Sequence, residues 1–399
     1  MNFVLSTIDI VRAFDLETLS TIAFFAVISI LLIKDRRNVE FQYGLIIRRM
    51  QKGKRAIDKF VKGRRRALRF IGNIAVCIGI VAAFVSLYFL IRFTLSLQQA
   101  FKIVLPSVGK ISYPEQVMPM PFWYWIVGVF IIIASHETMH AVFARLERVR
   151  IKSYGFLLLL FFPIGAFVDP DMKEVARLKP LKKLRIFAAG SFGNFIVGLL
   201  IFLIFISSIK TSNYLIESVG VSFKNTIPGT PAHAAGLNGI IYQIDNESVK
   251  DVFDLGLVLS KRPPGSSIMI ITSSGEFRLT TIEHPDIANA SYIGIADVKT
   301  VYKYRFDGGV VPESVVDAMF VWLRLLFWLF ILSVGVGLTN MLPMKPFDGG
   351  YIFEELFNLL LKSKKKGRTA INIASVIVGG LLLVNLFGVS LIKSVINLI

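Results

Sequence analysis

Long runs of apolar residues are the feature that most constrains how this 399-residue chain can fold. A helix that crosses a bilayer core about 30 Å thick needs roughly 20 consecutive apolar residues. Six stretches approach or exceed that length, with the approximate bounds Leu19–Ile33, Phe70–Phe93, Phe122–Ala144, Ile186–Ile209, Val315–Leu338 and Ile371–Ile399. The sequence therefore predicts a polytopic α-helical membrane protein with about six spans.

The composition favours a membrane protein over a soluble enzyme with a large core. Charged residues make up 18% of the chain, against about 25% in a typical soluble domain. The net charge of +18 could indicate nucleic-acid binding, but between Lys34 and Arg69 there are 14 Lys/Arg and 3 Asp/Glu, directly between two apolar stretches. Juxtamembrane basic segments attract anionic lipid. We therefore expect membrane lipid, and no nucleic acid, as a partner.

The basic segments also predict an orientation in the cell membrane. Three of them, Lys34–Arg69, Arg145–Arg185 and Lys362–Arg368, fall on the same side if the chain crosses six times. The positive-inside rule makes that side cytoplasmic. The segment from Thr211 to Glu313 carries 8 Lys/Arg and 11 Asp/Glu. Tyr214–Val311 and both termini would then lie outside.

Two segments between the spans have patterns of their own. Tyr214–Val298 alternates short β-type runs with turn residues and includes one helical stretch, Val252–Ser260. This pattern predicts a small mixed β domain inserted between the fourth and fifth spans. The apolar segment Leu157–Val168 is short and is interrupted by Pro163 and Gly165, so it is more typical of a re-entrant or interfacial segment than of a span.

The third span contains His136-Glu137-Thr138-Met139-His140. Residues four apart share a helix face, so the two imidazoles converge on one point. Glu137 lies beside them, where a general base can take a proton from water at a metal ion. Ionisable groups in hydrocarbon are costly and usually face a functional cavity. The pattern indicates a metal-dependent hydrolase, with a polar packing cluster as the alternative.

A catalytic zinc needs a third protein ligand and one open position. His233 and His284 fall on the predicted outer side. The candidates on the cytoplasmic side are Asp169, Asp171, Glu174, Asp348, Glu354 and Glu355. Asp348 lies in Asn340–Gly350, where two prolines must break the fifth span, and broken backbone at membrane depth is tolerated where it lines a wet cavity. Taken alone, Asp-Gly-Gly is more often a turn.

Together, the two motifs resemble the site-2 protease family of intramembrane zinc metalloproteases. The resemblance covers about Phe122 to Tyr351. It implies that His136, His140 and Asp348 bind one Zn²⁺ and that Glu137 is the catalytic general base. It also implies regulated intramembrane proteolysis, in which peptide bonds are hydrolysed within the transmembrane segments of membrane-anchored substrates.

Further parts of the chain match the family less fully. The insert resembles a PDZ domain at Gly229–Leu237 and Ile244–Val249, but has Asn238-Gly239-Ile240 where Pro-Gly-Asp is usual. Leu157–Val168 stands where the family has a membrane-embedded β-hairpin. The Gly-Pro-x-x-Asn element of the family appears here as Gly190-Ser191-Phe192-Gly193-Asn194.

That last element implies that Asn194 binds the substrate or the oxyanion, with simple helix packing as the alternative. Asn340, the first residue of the second motif, is a further candidate for the same role.

The expected organisation has five parts. They are N-terminal spans and a basic cytoplasmic loop (1–121), the first part of the catalytic core (122–212), a PDZ-like domain (213–311), the second part of the catalytic core (312–351) and a C-terminal span (352–399). Two rival functions remain open from the residues. One is a different membrane zinc protease with Glu354 or Glu355 as third ligand, and the other is a non-catalytic membrane scaffold that presents the PDZ-like domain.

Overall fold

A computed structural model describes residues 16–42, 45–50, 54–107, 112–159, 162–389 and 391–392. The chain forms two compact units. The first contains residues up to Phe202 and from Leu325 onward, and the second contains Leu203–Arg324. Each unit has its own buried apolar cores.

Helices make up most of the first unit, whereas the second unit contains strands and helical residues in similar numbers. In chain order the helices are α1 (Leu16–Lys34), α2 (Lys54–Lys62), α3 (Arg65–Leu95), α4 (Phe122–Leu146), α5 (Met172–Ala176), α6 (Pro180–Leu215), α7 (Pro231–Ala234), α8 (Val252–Ser260), α9 (Glu313–Asn340), α10 (Asp348–Leu360) and α11 (Lys364–Leu383). A π-helical turn, Val384–Gly388, extends the last helix.

Among the described residues the strands form a four-stranded sheet and a two-stranded sheet in the first unit, and a six-stranded sheet and two two-stranded sheets in the second. Those of the first unit are β1 (Val39–Gln42), β2 (Leu45–Met50), β3 (Ile103–Ser107), β4 (Val117–Pro121), β5 (Ile151–Leu159) and β6 (Phe162–Pro170). Those of the second unit are β7 (Ile216–Ser222), β8 (Asn225–Thr226), β9 (Ile241–Ile244), β10 (Glu247–Ser248), β11 (Ser267–Thr272), β12 (Gly275–Thr280), β13 (Ile282–Glu283), β14 (Ser291–Tyr292), β15 (Ile295–Ala296) and β16 (Lys299–Tyr304).

Five helices among the described residues are long and apolar enough to cross a membrane: α3, α4, α6, α9, and α11 with its extension. They coincide with five of the six predicted stretches, so the chain is a polytopic helical membrane protein. The first predicted stretch, Leu19–Ile33, falls in α1, which is a shorter apolar helix, and a sixth crossing stays a prediction. The end of the last stretch, residues 393–399, lies outside the described residues.

The predicted re-entrant segment is part of an antiparallel hairpin, β5–β6, whose residues 160–161 lie outside the described residues. The segment between Lys34 and Arg69, interpreted from its charge as a basic loop, contributes structure that the interpretation missed. Its strands β1 and β2 extend the hairpin into a four-stranded sheet of order β1-β2-β5-β6. An isolated hairpin is only marginally stable. The pairing of Leu45–Ile47 with Leu157–Leu159 stabilises it, because the strand β5 then has a hydrogen-bonded neighbour on both sides.

Ion pairs connect the basic segments at one end of the first unit. Arg145 of α4 contacts Asp58 of α2 at 2.6 Å. At the start of α6, Arg185 contacts Glu147 at 2.7 Å, and the Glu147 side chain is 1% exposed. Buried charges persist only when they are paired in this way. These ion pairs bring together the ends of α2, α4 and α6. This agrees with the prediction that the basic segments lie on the same side of the membrane.

The second unit contains a sheet of order β12-β11-β9-β7-β16, with β10 paired to β9. Its helix α8 has the predicted bounds, and Ile241, Ile244 and Ile270 are fully buried in its core. Gly239 has φ +87°, and a Cβ there would lie 2.6 Å from Ser274 Oγ. A glycine is therefore required in the Asn-Gly-Ile sequence. The PDZ likeness of this unit stays a prediction.

Candidate metal centre

The α4 helix brings the two motif histidines together. His136 and His140 are one turn apart, and their Nε2 atoms are separated by 3.1 Å. The two rings meet edge to face, with centroids 4.7 Å apart. This is the convergence that i, i+4 spacing predicts for a helix.

Asp348 reaches the same point from the other motif. The α9 helix ends at Asn340, the chain turns through the two prolines, and α10 begins at Asp348. The Asp348 Oδ2 atom lies 3.3 Å from His136 Nε2 and 3.2 Å from His140 Nε2. The structure thus brings together the three side chains that the sequence singled out.

The two glycines after Asp348 allow this approach. A Cβ on Gly349 would lie 2.1 Å from the carbonyl oxygen of Met341, and one on Gly350 would lie 2.6 Å from backbone atoms of Met344. Real Cβ atoms do not approach backbone so closely, so α10 can pack on the turn only with glycine at both positions. The motif therefore has a packing role beyond a simple turn.

The geometry fits a bound zinc ion. Tetrahedral zinc with bonds of about 2.0–2.1 Å to nitrogen and oxygen keeps its ligand atoms about 3.3 Å apart, and the three atoms here are 3.1–3.3 Å apart. Asp348 Oδ2 is buried without a hydrogen-bond partner, as expected for a ligand atom reserved for a cation. In the described part of the chain, this is the one group of three His, Cys, Asp or Glu side chains that could hold a metal.

Gly190 of α6 keeps space open at the same point. A Cβ there would lie 2.3 Å from His140 Nε2 and 2.5 Å from His136 Nε2. Any larger residue would enter the space that the three ligand atoms face. In the sequence, Gly190 stands out only as part of a family pattern, and its position four residues before Asn194 is the one signal of this role.

Contacts at the Nδ1 atoms orient both imidazoles. His140 Nδ1 lies 2.8 Å from the carbonyl oxygen of Ile186, to which it donates. His136 Nδ1 lies 3.3 Å from the side-chain NH₂ group of Asn194, and the Oδ1 atom of that amide accepts a hydrogen bond of 2.8 Å from Ser135 Oγ. Partners at Nδ1 fix the orientation of a metal-binding ring. Asn194 is fully buried and engaged at both ends, and its contact with substrate or oxyanion stays a prediction.

The Glu137 carboxylate is held by the neighbouring hairpin. Its Oε2 accepts a hydrogen bond of 2.7 Å from the backbone N–H of Val168 on β6. The sequence identified Glu137, but not this partner, because no local pattern marks a backbone N–H that lies on another element. Strand β6 is the edge of its sheet.

The remaining third-ligand candidates lie outside the metal group. Asp171 caps α5 by accepting from the backbone N–H of Lys173. Backbone and side-chain hydrogen bonds from Arg150 to Glu174 hold the pKa of that carboxyl below its usual value. Asp169 is also absent from the group.

The two glutamates of the rival protease have cationic partners. Glu354 contacts Lys345 at 2.6 Å, and Glu355 contacts Lys183 at 3.0 Å. Neither lies in the metal group, so this geometry disfavours a glutamate as third ligand. Asn340 lines a cavity beside α4.

Comparison with known proteins decides the family. Residues 124–385, which include both motifs, match peptidase family M50. This chain belongs to that family. The family is that of the site-2 proteases, so the predicted family is confirmed, and the chain is a zinc metalloendopeptidase. This assignment favours an enzyme over the non-catalytic scaffold.

The names of two of three similar proteins agree with the family assignment. An uncharacterized protein of Methanocaldococcus jannaschii is 25% identical over 352 residues, which is 84% of this chain and 83% of the relative. A protein of Clostridium perfringens, provisionally named a zinc metalloprotease, is 22% identical over 66% of this chain and 95% of its own length. A protein of Thermotoga maritima with the same provisional name is 29% identical over 41% of this chain and 37% of its own.

Proposed function

We propose that this M50 peptidase hydrolyses peptide bonds inside the transmembrane segments of membrane-anchored proteins. In this proposal His136, His140 and Asp348 are the zinc ligands and Glu137 is the general base. The observation that carries it is the convergence of three ligand atoms, two of them from α4, a helix that is long and apolar enough to span a membrane. Ionisable groups at such a position are expensive unless they serve a function.

Bound zinc supplies a Lewis acid that makes water a nucleophile at neutral pH and polarises the scissile carbonyl. The chain's own residues move the proton. The hydrogen bond from Val168 fixes Glu137 through Oε2, which leaves Oε1 to accept the proton of the attacking water. Glu137 then returns this proton to the leaving amine.

The edge strand β6 provides a place for the substrate. A transmembrane helix hides its carbonyl groups in hydrogen bonds to residues four positions on, so the segment must unwind before cleavage. One side of β6 pairs with β5, and its other side faces away from the sheet. An unwound substrate that adds to this edge as a further strand would be held by backbone hydrogen bonds. Since Val168 also contacts Glu137, the bound segment would lie next to the general base.

The proposed orientation places the metal centre toward the cytoplasmic side and the second unit outside. The ion pairs that join α2, α4 and α6 support a common side for the basic segments, and the positive-inside rule assigns that side to the cytoplasm. The second unit is then a PDZ-like domain that screens substrates by size and admits those whose outer part has already been trimmed.

A substitution of Glu137 by Gln tests the catalytic proposal. Gln keeps the size and the acceptor for Val168 but cannot take up a proton. We expect cleavage of a single-span substrate in liposomes to fall by about 10²–10⁴-fold, with one zinc per chain retained. Glu313→Gln is a matched control, because Glu313 is an exposed residue paired with Lys299. Cleavage by Glu137→Gln at the rate of this control would remove the general-base role.

A further inference from the structure

A cavity of about 770 Å³ lies in the first unit, bounded by α3, α4, α9 and the chain that follows α3. On α4 it is lined by Ile132 and Ile133, which are four and three residues before His136. Residues at this spacing share a helix face, so the cavity lies about one turn, or ~5.4 Å, from the metal centre along α4. On α9 it extends to Asn340, where the turn toward Asp348 begins.

The walls of this cavity are mostly apolar. They include Phe89, Phe93, Trp125, Val129, Ile331 and Leu332. Two hydroxyl groups in the lining are already engaged, since Ser86 Oγ donates to the carbonyl of Leu338 and Thr339 Oγ1 donates to that of Gly335, each at 2.8 Å. The cavity therefore suits large aliphatic or aromatic groups, whose burial is favourable in proportion to the apolar area covered.

The cavity is reachable from the lipid-facing surface of the helices. Phe89 on α3 is 41% exposed and Ile331 on α9 is 36% exposed, although both also line the cavity. Gly335, one turn further along α9, is exposed, and a Cβ there would meet nothing within 4 Å. A chain embedded in the membrane can thus enter sideways between apolar walls.

We propose that this cavity is a specificity site that receives a large apolar side chain of the substrate's transmembrane segment, close to the scissile bond. The inference rests on the proposed function. An extended chain advances ~3.3 Å per residue, so one helix turn from His136 corresponds to about two residues from the scissile carbonyl. We take the occupant to be a substrate side chain and not a lipid tail because of where the cavity lies. It shares a face of α4 with the metal centre and extends to the second motif, so its occupant lies next to the bond that is cleaved.

The substitution Gly335→Leu tests the site by filling it. The position has free space, and Leu is a better helix former than Gly, so α9 should be preserved. Gly380→Leu is the matched control, because Gly380 is an exposed glycine on α11 with nothing within 4 Å and lies outside the cavity.

The assay compares two single-span substrates in liposomes that carry Phe or Ala within about three residues of the mapped scissile bond. We expect the ratio of cleavage rates, Phe over Ala, to fall at least about tenfold in Gly335→Leu, as pocket contacts of this size do in other enzymes. The ratio should keep its wild-type value in Gly380→Leu. An unchanged ratio in Gly335→Leu, or an equal fall for both substrates, would overturn the proposal.

Cross-linking separates this proposal from the proposed function. Cys77 is the single cysteine of the chain, so Gly335→Cys or Gly380→Cys can be placed in a Cys77→Ser, Glu137→Gln background. A substrate cysteine near the scissile bond should join Gly335→Cys through a short thiol cross-linker and should not join Gly380→Cys. Cross-linking without cleavage by the active enzyme would contradict the proposed function and keep the site. Cleavage without cross-linking, or protection of Gly335→Cys by phospholipid alone, would contradict the site.

Discussion

At the residue scale, the surroundings of Asn194 suggest a second role for its side chain. Its amide lies between Ser135 and His136 and has no exposed surface. An imidazole that binds zinc through Nε2 carries its proton on Nδ1 and donates it to an acceptor. Rotation of the amide by 180° places Oδ1 opposite His136 Nδ1 and the NH₂ group opposite Ser135, and the two orientations fill the same space. In that orientation we expect Asn194 to position a zinc ligand.

We therefore expect Asn194→Ala to weaken zinc binding by about 10–100-fold, the usual cost of losing such a partner. Asn194→Asp should bind zinc more tightly than Asn194→Ala, because a carboxylate oxygen can still accept from His136. Competition with a chelator of known affinity measures both values. If Asn194→Ala retains wild-type zinc affinity while substrate cleavage falls, the original prediction of substrate or oxyanion binding would be favoured instead.

At this scale the sequence indicated the side chains that meet at the candidate metal centre and missed the residues that make room for them. His136 and Glu137 are marked by their spacing, and Asp348 by its setting between prolines and glycines. Gly190 contributes by having no side chain, and Val168 contributes its backbone N–H. The residues that they contact lie on another element, α4. Their roles become visible only once α6 and β6 are packed against α4.

Among the elements, α10 is positioned by a buried ion pair. Lys183 of α6 donates to both carboxylate oxygens of Glu355 at 3.2 and 3.0 Å, and both side chains are about one-tenth exposed. Glu355 is seven residues after Asp348, which is about two helix turns, so both lie on one face of α10. The pair therefore fixes the helix that presents Asp348 to the metal centre.

Breaking this pair should destabilise the protein and loosen the metal centre. Glu355→Gln leaves a buried ammonium without its counter-charge, a loss that typically costs about 3–5 kcal/mol. We expect a lower unfolding temperature and weaker zinc binding. The double variant Lys183→Met, Glu355→Gln should recover much of both losses, since no buried charge is left unpaired. Zinc binding that stays lost in the double variant would instead indicate that Glu355 is itself a ligand.

The helices were more predictable than the sheet that borders the metal centre. A membrane-spanning helix is defined by a continuous apolar run, which a local pattern shows, and α3, α4, α6 and α9 coincide with such runs. The pairing of β2 with β5 joins Met50 to Tyr154, and no local pattern links residues so far apart. The many basic residues around β2 also hid its apolar residues Leu45–Ile47.

For the whole molecule, the strand-rich part of the second unit, β7 to β16, is an insertion whose two ends meet. The backbone N–H of Arg305 donates to the carbonyl of Leu215 at 2.9 Å, and Arg305 Nε donates to the carbonyl of Asn213 at 3.0 Å. The strands between these points, β7 to β16, have a buried core of their own. A segment that leaves and re-enters at one place can be removed with little disturbance of the remaining chain.

This arrangement permits a direct test of the proposed size filter. Residues 216–304 would be replaced by a short Gly-Ser linker between Leu215 and Arg305. The variant should retain one zinc per chain, because none of the metal-centre residues lies in the removed segment.

Two substrates would be compared in liposomes, one with a folded outer domain and one trimmed close to the membrane. We expect the wild-type protein to cleave only the trimmed substrate, and the variant to cleave both at similar rates because the barrier to a bulky outer domain is gone. The same deletion combined with Glu137→Gln controls for contaminating proteases. If the variant cleaves the trimmed substrate and still excludes the untrimmed one, the second unit is not the filter, and its function lies in binding rather than in exclusion.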